Sequence, residues 1–131
     1  MNIRSLLLGA AALVALGTTV SFADDYAGGA VKSMSAGGKE ILTNAKGMTL
    51  YTYDKDAAGV SNCYDKCAAN WPPAAADASA KAEGDFTIVD RTDGTKIWAY
   101  KGKPLYTWVK DAKPGDTTGD GVGGSWHTAT E

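Results

Sequence analysis

The chain repeats one sequence pattern, and this repeat constrains the fold more than any other feature. The segment from Gly47 to Ala57 aligns with the segment from Gly102 to Ala112 at an offset of 55 residues, and seven of the eleven positions are identical. The same offset aligns Trp71 with Trp126. A register held over this length is not a chance match, so we expect two copies of one structural unit.

Turn residues divide each copy into three short strands. Asp93-Gly94 is typical of a two-residue hairpin turn with positive φ, and Gly37-Gly38 forms the corresponding turn of the first copy. The predicted strands are 30–35, 40–43 and 48–54, then 86–89, 96–100 and 105–109. The sequence therefore predicts an all-β fold with one short helix, in which two pseudo-symmetric three-strand antiparallel meanders pack into one domain.

The first 23 residues have the features of a secretory signal peptide. A basic start is followed by an apolar run, and small residues precede a cleavage point after Ala23. The apolar run is shorter than the roughly 20 residues that span a membrane, and no cysteine lies near the cleavage point to carry a lipid. We expect a signal peptide at 1–23 and one two-repeat domain at 24–131, with repeats at about 30–71 and 85–127. The expected location is periplasmic or secreted, without a stable membrane anchor.

Charge and composition exclude several kinds of partner. The chain has 13 Lys and Arg residues against 15 Asp and Glu residues, for a net charge of −2. Nucleic-acid binding requires a basic excess that this chain lacks. With one His and two Cys, an all-protein zinc site is disfavoured, and we expect no cofactor.

Cys63 and Cys67 lie in a segment, 61–70, that resembles a short helix with Ser61 or Asn62 as its N-cap. Residues four apart on a helix have Cβ atoms about 5–6 Å apart, whereas a disulfide needs about 3.8 Å. Pairing in an oxidising compartment therefore requires a tightened or irregular turn. We favour a structural disulfide over a thiol-redox site, because redox motifs have two intervening residues and a different fold context.

The candidate metal ligands are few. Asp116 and Asp120 match two positions of a calcium loop, but His127 stands where a bidentate Glu belongs, so an ordinary glycine-rich turn is favoured. His127 with Met34, Met48 or the cysteine thiolates would form a soft copper site. Nothing in the sequence brings these groups together, so we favour a structural or surface histidine and no metal.

The most distinctive motif is Tyr-x-aromatic-x-x-Asp, which occurs once in each copy. The alternation of side chains along a strand places the Tyr and the second aromatic ring on one face. The Asp is then available to accept hydrogen bonds from loop N–H groups or from a Tyr hydroxyl. The motif residues are Tyr51, Tyr53 and Asp56 in the first copy and Tyr106, Trp108 and Asp111 in the second, with Trp71 and Trp126 further along.

The four motif rings have two interpretations. They either fill the core or form a stacking platform for a sugar ring or another planar ligand. We favour the core, because the chain has few other large apolar residues.

Together with the cysteine segment, which ends in Asn70-Trp71-Pro72-Pro73, and the glycine-rich stretch that ends in Trp126-His127, these motifs resemble a known bacterial family. This is the secreted repeat of unknown function, also described as predicted lipoproteins with the Tyr-x-aromatic-x-x-Asp motif. The resemblance extends from about Gly38 to His127. It implies an exported two-repeat protein and no established reaction, and the chain departs from the lipoprotein members by lacking a lipidation cysteine.

The sequence contains no hydrolase motif and no His paired with a plausible nucleophile. We therefore favour an exported non-enzymatic domain, structural or binding, whose partner is an unidentified protein or small molecule. One alternative is a thiol-redox or copper-handling periplasmic protein acting through Cys63, Cys67 and His127. Another is a protein that binds carbohydrate or a small ligand through an aromatic face.

Overall fold

A computed structural model describes residues 22–131, which form three antiparallel sheets and one short α-helix. The predicted signal peptide lies outside the described residues except for Phe22 and Ala23, which belong to the first strand. The elements are β1 (Phe22–Tyr26), β2 (Val31–Ala36), β3 (Lys39–Asn44), β4 (Tyr51–Tyr53), α1 (Lys66–Asn70), β5 (Phe86–Asp90), β6 (Lys96–Tyr100), β7 (Lys103–Pro104) and β8 (Trp126–Thr128). Short 3-10 turns occupy Ala27–Gly29 and Val122–Gly124.

The predicted fold class is confirmed, because the chain forms two three-strand antiparallel sheets, β1-β2-β3 and β5-β6-β7, and a small sheet of β4 and β8. Gly37 and Gly38 have φ of 58° and 81°, as a two-residue hairpin turn between twisted strands requires. The prediction of the same turn at Asp93-Gly94 is wrong. Residues 91–95 form a longer loop there, in which only Gly94 has positive φ, at 89°.

The third strand predicted for the first copy is divided between two sheets. Residues 48–50 continue alongside β3, since the N–H of Leu50 donates to the carbonyl of Leu42 at 2.9 Å. The chain then leaves β3, and β4 pairs with β8 instead. The place of a third strand in the first sheet is taken by β1, which the sequence did not predict and which pairs with β2.

The strand predicted at 105–109 is also wrong, because β7 contains only Lys103 and Pro104. Beyond β7, Tyr106 forms a bridge with Pro73, and the N–H of Thr107 donates to the carbonyl of Pro72 at 2.8 Å. Pro72 and Pro73 have no N–H group to donate to the neighbouring strand, so this contact does not extend into a regular ladder of hydrogen bonds.

The helix is shorter than the predicted segment 61–70, and its N-cap is Asp65 rather than Ser61 or Asn62. Asp65 has a φ of 55°, so the chain turns irregularly just before the helix. Cys63 therefore precedes α1 and Cys67 lies within it. Their Cα atoms are 5.2 Å apart, and the predicted disulfide is present.

The two repeats exchange the segments that follow the equivalent residues Trp71 and Trp126. The N–H of Leu42 donates to the carbonyl of Ala129, and the N–H of Ala129 donates to the carbonyl of Leu50, at 2.9 and 2.8 Å. The second repeat thus inserts its C-terminal segment between two strands of the first. In the opposite direction, the N–H of Ala74 donates to the carbonyl of Leu105 at 2.9 Å. Each repeat therefore completes the sheet of the other.

The core lies on both faces of the exchanged strands. Leu50 packs in one apolar cluster with Leu42, Trp98 and Leu105, whereas the next residue, Tyr51, packs in the other. The predicted alternation of Leu50 and Tyr51 is therefore confirmed. Burial of these side chains, at roughly 25 cal/mol per Å² of apolar area, is the main stabilising contribution.

Candidate functional site

The two copies of the Tyr-x-aromatic-x-x-Asp motif meet at the centre of the molecule. The N–H of Tyr51 donates to the carbonyl of Tyr106 at 2.7 Å, and the N–H of Tyr106 donates to the carbonyl of Tyr51 at 3.0 Å. This reciprocal pair marks a pseudo-twofold axis between the repeats. Both tyrosine side chains are fully buried, at 0 % exposure, so neither ring is accessible to a stacked ligand.

The motif carboxylates cross between the repeats. The hydroxyl of Tyr51 donates to Oδ2 of Asp111 at 2.7 Å, and the hydroxyl of Tyr106 donates to Oδ2 of Asp56 at 2.7 Å. Each tyrosine thus binds the aspartate of the other copy, not the aspartate five residues further on in its own. The motif links the two repeats to each other.

The glycine-rich segment of the second repeat covers the Tyr51–Asp111 pair. Oδ1 of Asp111 accepts hydrogen bonds from the N–H and the hydroxyl of Thr118, at 3.0 and 2.6 Å, and the N–H of Gly119 donates to the Tyr51 hydroxyl at 3.2 Å. A Cβ at Gly119 would lie 2.8 Å from the ring of Trp71. Only glycine fits this close approach, which the sequence pattern alone did not reveal.

A buried arginine supports the equivalent pair, Tyr106 with Asp56. Nη1 of Arg91 donates to the hydroxyl of Ser61 at 2.9 Å, and Nη2 donates to the carbonyl of Cys63 at 2.9 Å. The hydroxyls of Ser61 and Tyr106 are 2.6 Å apart, and since Tyr106 donates its proton to Asp56, Ser61 is the donor to Tyr106. This series of hydrogen bonds therefore runs from the Arg91 guanidinium to the Asp56 carboxylate. No sequence motif includes Arg91, although it is the only arginine after Arg4.

Burial governs the electrostatics of these pairs. It raises the pKa of Tyr51 and Tyr106 well above the ordinary tyrosine value, and their hydrogen bonds to Asp111 and Asp56 add to the effect. Burial also raises the pKa of Asp56, although the hydrogen bonds from Tyr106 and from the N–H of Asn62 oppose that shift. Both tyrosines are thus held as neutral hydrogen-bond donors.

We expect the free energy of unfolding to fall as the pH rises above about 10, where the tyrosines of the unfolded chain begin to ionise. The folded protein keeps Tyr51 and Tyr106 protonated, so their contribution is complete below that pH and is lost above it. Urea unfolding at a series of alkaline pH values should show that the free energy of unfolding falls less steeply with pH for Tyr51→Phe and Tyr106→Phe than for the wild type. Tyr53→Phe is the control and should keep the wild-type slope, and a wild-type stability independent of pH in this range would contradict the prediction.

Four aromatic rings form a continuous stack across the pseudo-twofold axis. Trp71 and Trp126 lie at its centre, with ring centroids 3.8 Å apart and planes inclined by only 2°. Tyr53 stacks on Trp126 at 4.2 Å, and Trp108 stacks on Trp71 at 4.0 Å. The central indoles are buried and the two outer rings are half-buried. Within the stack, only Tyr53 and Trp108 therefore offer ring surface to a ligand.

The disulfide lies beside this centre. Cys63 is fully buried and packs in the same apolar cluster as Tyr106, while Cys67 packs against that cluster from the outside. Because Arg91 binds the carbonyl of Cys63, the disulfide loop contributes directly to the support of the Tyr106–Asp56 pair.

Thiol titration of the native protein should find no free thiol. Replacement of both cysteines by alanine, which adds no polar group to the apolar cluster, should lower the free energy of unfolding by about 2 kcal/mol, because the closed loop is short. Urea unfolding of this double variant measures the effect. The control of unchanged stability is Lys81→Ala, an exposed position in the linker that joins α1 to β5. Two titratable thiols in the native protein would contradict the structural role of the disulfide.

The candidate metal ligands each have a partner in the protein. Oδ2 of Asp116 accepts hydrogen bonds from two loop N–H groups, which lower its pKa, and Oδ1 of Asp120 accepts one from the N–H of Thr128 at 2.9 Å. Nε2 of His127 lies 2.9 Å from Oδ2 of Asp54 on the surface. Within residues 22–131, no three His, Cys, Asp or Glu side chains come together as a potential metal site.

The fold and the motif define a class of protein, a duplicated domain whose repeats share one buried centre. A family model described as a secreted repeat of unknown function matches the chain twice, at residues 31–75 and 87–130. The chain belongs to this family, and the description supports an extracytoplasmic location. No curated protein and no solved structure matches the chain. No helix in the described part of the chain is long and apolar enough to cross a membrane.

Proposed function

We propose that the protein is an exported, non-enzymatic binding module. The repeated Tyr, Asp and Trp residues form a rigid scaffold, and exposed side chains around it contact a protein or small-molecule partner. The observation that carries this proposal is the commitment of the motif's polar groups to internal hydrogen bonds: Tyr51 with Asp111 and Tyr106 with Asp56. A general base must be free to reach a substrate proton, and both carboxylates already accept hydrogen bonds from tyrosine hydroxyls.

The proposal also includes the location of the protein outside the cytoplasm. We expect residues 1–23 to act as a signal peptide and the mature chain to be periplasmic or secreted, without a stable membrane anchor and without affinity for nucleic acid. The family description supports export in general. N-terminal sequencing of the exported protein tests this directly, with Asp24 as the expected first residue and an uncleaved leader as the contrary result.

A second candidate is the binding of a carbohydrate through an aromatic ring. The half-buried rings of Tyr53 and Trp108, at the two ends of the aromatic stack, favour it. The structure offers these two rings separately rather than one platform of four, since Tyr51 and Tyr106 are fully buried. A sugar would therefore contact a single ring at one end of the stack.

The proposal is tested by mapping amide chemical shifts while the folded protein is screened against sugars, metal ions and nucleotides. We expect any binding-induced shifts at exposed positions around Tyr53, Trp108 or His127, with the amides of Tyr51 and Tyr106 unchanged. Ligand-induced unfolding of the centre, or turnover of any screened compound, would overturn the proposal. The variant Lys81→Ala, in the exposed linker, is the matched control and should give the same map.

A further inference from the structure

Three aromatic rings form a path from the surface to the buried centre. The rings of Trp108 and Trp71 are stacked with their centroids 4.0 Å apart, and the rings of Trp71 and Tyr51 are nearly perpendicular at 5.3 Å. Trp108 is half-buried, whereas Trp71 and Tyr51 are 4 % and 0 % exposed. Electrons pass readily between aromatic side chains that are in van der Waals contact. An electron from Tyr51 therefore reaches a solvent-accessible ring through a single intermediate, Trp71.

Trp108 is the point at which an oxidant in solution reaches an indole. The chain has four tryptophans, and the other three, Trp71, Trp98 and Trp126, are at most 5 % exposed. Indole and phenol rings are among the side chains that lose one electron most easily. We therefore expect a diffusing oxidant to take its electron from Trp108 rather than from a buried indole.

Tyr51 has a proton acceptor already in place. A phenol that loses one electron becomes strongly acidic, so a base beside its hydroxyl makes the loss much easier. The Tyr51 hydroxyl donates to Oδ2 of Asp111 at 2.7 Å, and within the described residues Asp111 forms no salt bridge that would hold it ionised. The proton therefore needs to move only along an existing hydrogen bond when the electron leaves.

The charges along the path favour oxidation of its buried end. The ammonium of Lys110 lies 5.8 Å from the centroid of the Trp108 ring, where it disfavours a second positive charge. At the other end, the negative charges of Asp111 and Asp120 act on Tyr51. A positive charge formed on Trp108 is therefore drawn inwards, towards Tyr51.

The duplication supplies a reference path with different chemistry at its outer end. The equivalent rings and carboxylate are Tyr53, Trp126, Tyr106 and Asp56. The outer ring of this path is the phenol of Tyr53, where the first path has the indole of Trp108. An oxidising equivalent that enters at Trp108 reaches Tyr51 after one intermediate ring and Tyr106 only after two. The first tyrosine on its way is therefore Tyr51.

We infer that Trp108, Trp71 and Tyr51 conduct an oxidising equivalent from a small radical oxidant in solution to the buried centre. The radical X• takes one electron from Trp108 and becomes the anion X⁻. Tyr51 then gives one electron through Trp71 to Trp108, and its hydroxyl proton passes to Oδ2 of Asp111. The products are X⁻, a neutral tyrosyl radical at Tyr51 and a neutral carboxyl group at Asp111.

The activity that follows is the removal of radical oxidants outside the cytoplasm. Tyr51 is fully buried, so its radical is shielded from reaction with molecules in solution. One electron from ascorbate, which becomes the ascorbyl radical and releases its proton to water, returns to Tyr51 along the same rings, and Asp111 gives the proton back. This activity is separate from the proposed binding function, because it uses buried rings rather than exposed side chains.

The test is pulse radiolysis of the whole folded protein with azide radicals, which oxidise indoles in preference to phenols. Transient absorption distinguishes a tryptophanyl radical from a tyrosyl radical. We expect the tryptophanyl signal to appear first and a tyrosyl signal to replace it, at a rate independent of protein concentration. The replacement should be slower in heavy water, because a proton moves with the electron. A tryptophanyl signal that decays without a tyrosyl signal would overturn the inference.

Variants that keep an aromatic ring at each position identify the path. Tyr51→Phe has no hydroxyl proton to lose, so the tyrosyl signal should be lost and the tryptophanyl signal should persist. Trp108→Phe should lower the initial yield of the tryptophanyl radical. Tyr106→Phe and Tyr53→Phe, from the reference path, are the matched controls and should behave like the wild type. An unchanged tyrosyl signal in Tyr51→Phe, or its loss in Tyr106→Phe, would contradict the assignment.

A second variant tests the same step if Tyr51→Phe does not fold. Asp111→Asn keeps every ring of the path, but an amide is a much weaker base than a carboxylate, so the tyrosyl radical should form much more slowly than in the wild type. Asp56→Asn makes the same change in the reference path and should keep the wild-type rate. Equal rates in Asp111→Asn and the wild type would show that Asp111 does not accept the proton and would overturn the inference.

Discussion

Each half of the chain is expected to be unfolded when it is produced alone, as residues 24–78 or 79–131. Each half lacks the segment that the other inserts into its sheet, so the N–H of Leu42 and the carbonyl of Leu50 lose their partner, Ala129. Halves of this size also bury a smaller share of their surface on folding than the complete chain does, so each would be marginally stable even with its sheet intact. Far-UV circular dichroism and proton NMR of each half measure the effect, and an equimolar mixture should regain the native spectrum.

The control is the complete chain cut only at the exposed linker position between Ala78 and Ser79 after it has folded. This protein should stay folded and keep its two fragments together, because the exchanged segments hold them. A half that unfolds cooperatively by itself would show that the repeats are independent units. That result would contradict the exchange of segments.

Removal of either central indole should cause the largest loss of stability among single substitutions in the aromatic stack. Trp71→Ala and Trp126→Ala are each expected to lower the free energy of unfolding by about 3–5 kcal/mol, the usual range for a buried large aromatic side chain. The two losses should be similar, because the residues are pseudo-equivalent and are 4 % and 5 % exposed. Urea unfolding followed by circular dichroism measures them.

The outer rings provide the matched comparison. Trp108→Ala and Tyr53→Ala should each cost less, since these rings are half-buried and stack on one neighbour. If the alanine variants at the centre do not fold, Trp71→Phe and Trp126→Phe keep the comparison measurable. Central losses below about 1 kcal/mol would show that the stack does not stabilise the domain.

The repeat in the sequence predicted the two similar halves, because local patterns fix local structure. Gly37-Gly38 supplies the positive φ of a tight turn, and the alternation at Leu50 and Tyr51 assigns each to a face. Both features depend only on neighbouring residues. They are therefore readable from one sequence.

The exchange between the repeats was not predictable from the same patterns. A sequence repeat indicates that Asp56 and Asp111 are equivalent, but it does not indicate which tyrosine each of them binds. That choice depends on contacts between distant segments, such as Ala129 with Leu42. The prolines at 72 and 73 hide the equivalence further, because they interrupt in one repeat the ladder that β8 forms in the other.

Two supporting residues were missed for different physical reasons. Arg91 has the sequence context of a surface turn, next to Asp93-Gly94, yet it lies buried with its guanidinium bound to Ser61 and Cys63. Gly119 lies in a segment that resembles an ordinary turn, and only the proximity of Trp71 explains it. Both depend on the tertiary structure, which composition and spacing do not encode.

The central claim is that the tyrosine of each repeat binds the aspartate of the other, and double-mutant cycles test it most directly. Cycles with Tyr→Phe and Asp→Ala substitutions are measured for the cross pairs, Tyr51 with Asp111 and Tyr106 with Asp56. The same-repeat pairs, Tyr51 with Asp56 and Tyr106 with Asp111, are the internal controls. We expect coupling energies of about 1–3 kcal/mol for both cross pairs and values near zero for both controls. Coupling within the repeats and none between them would contradict the account.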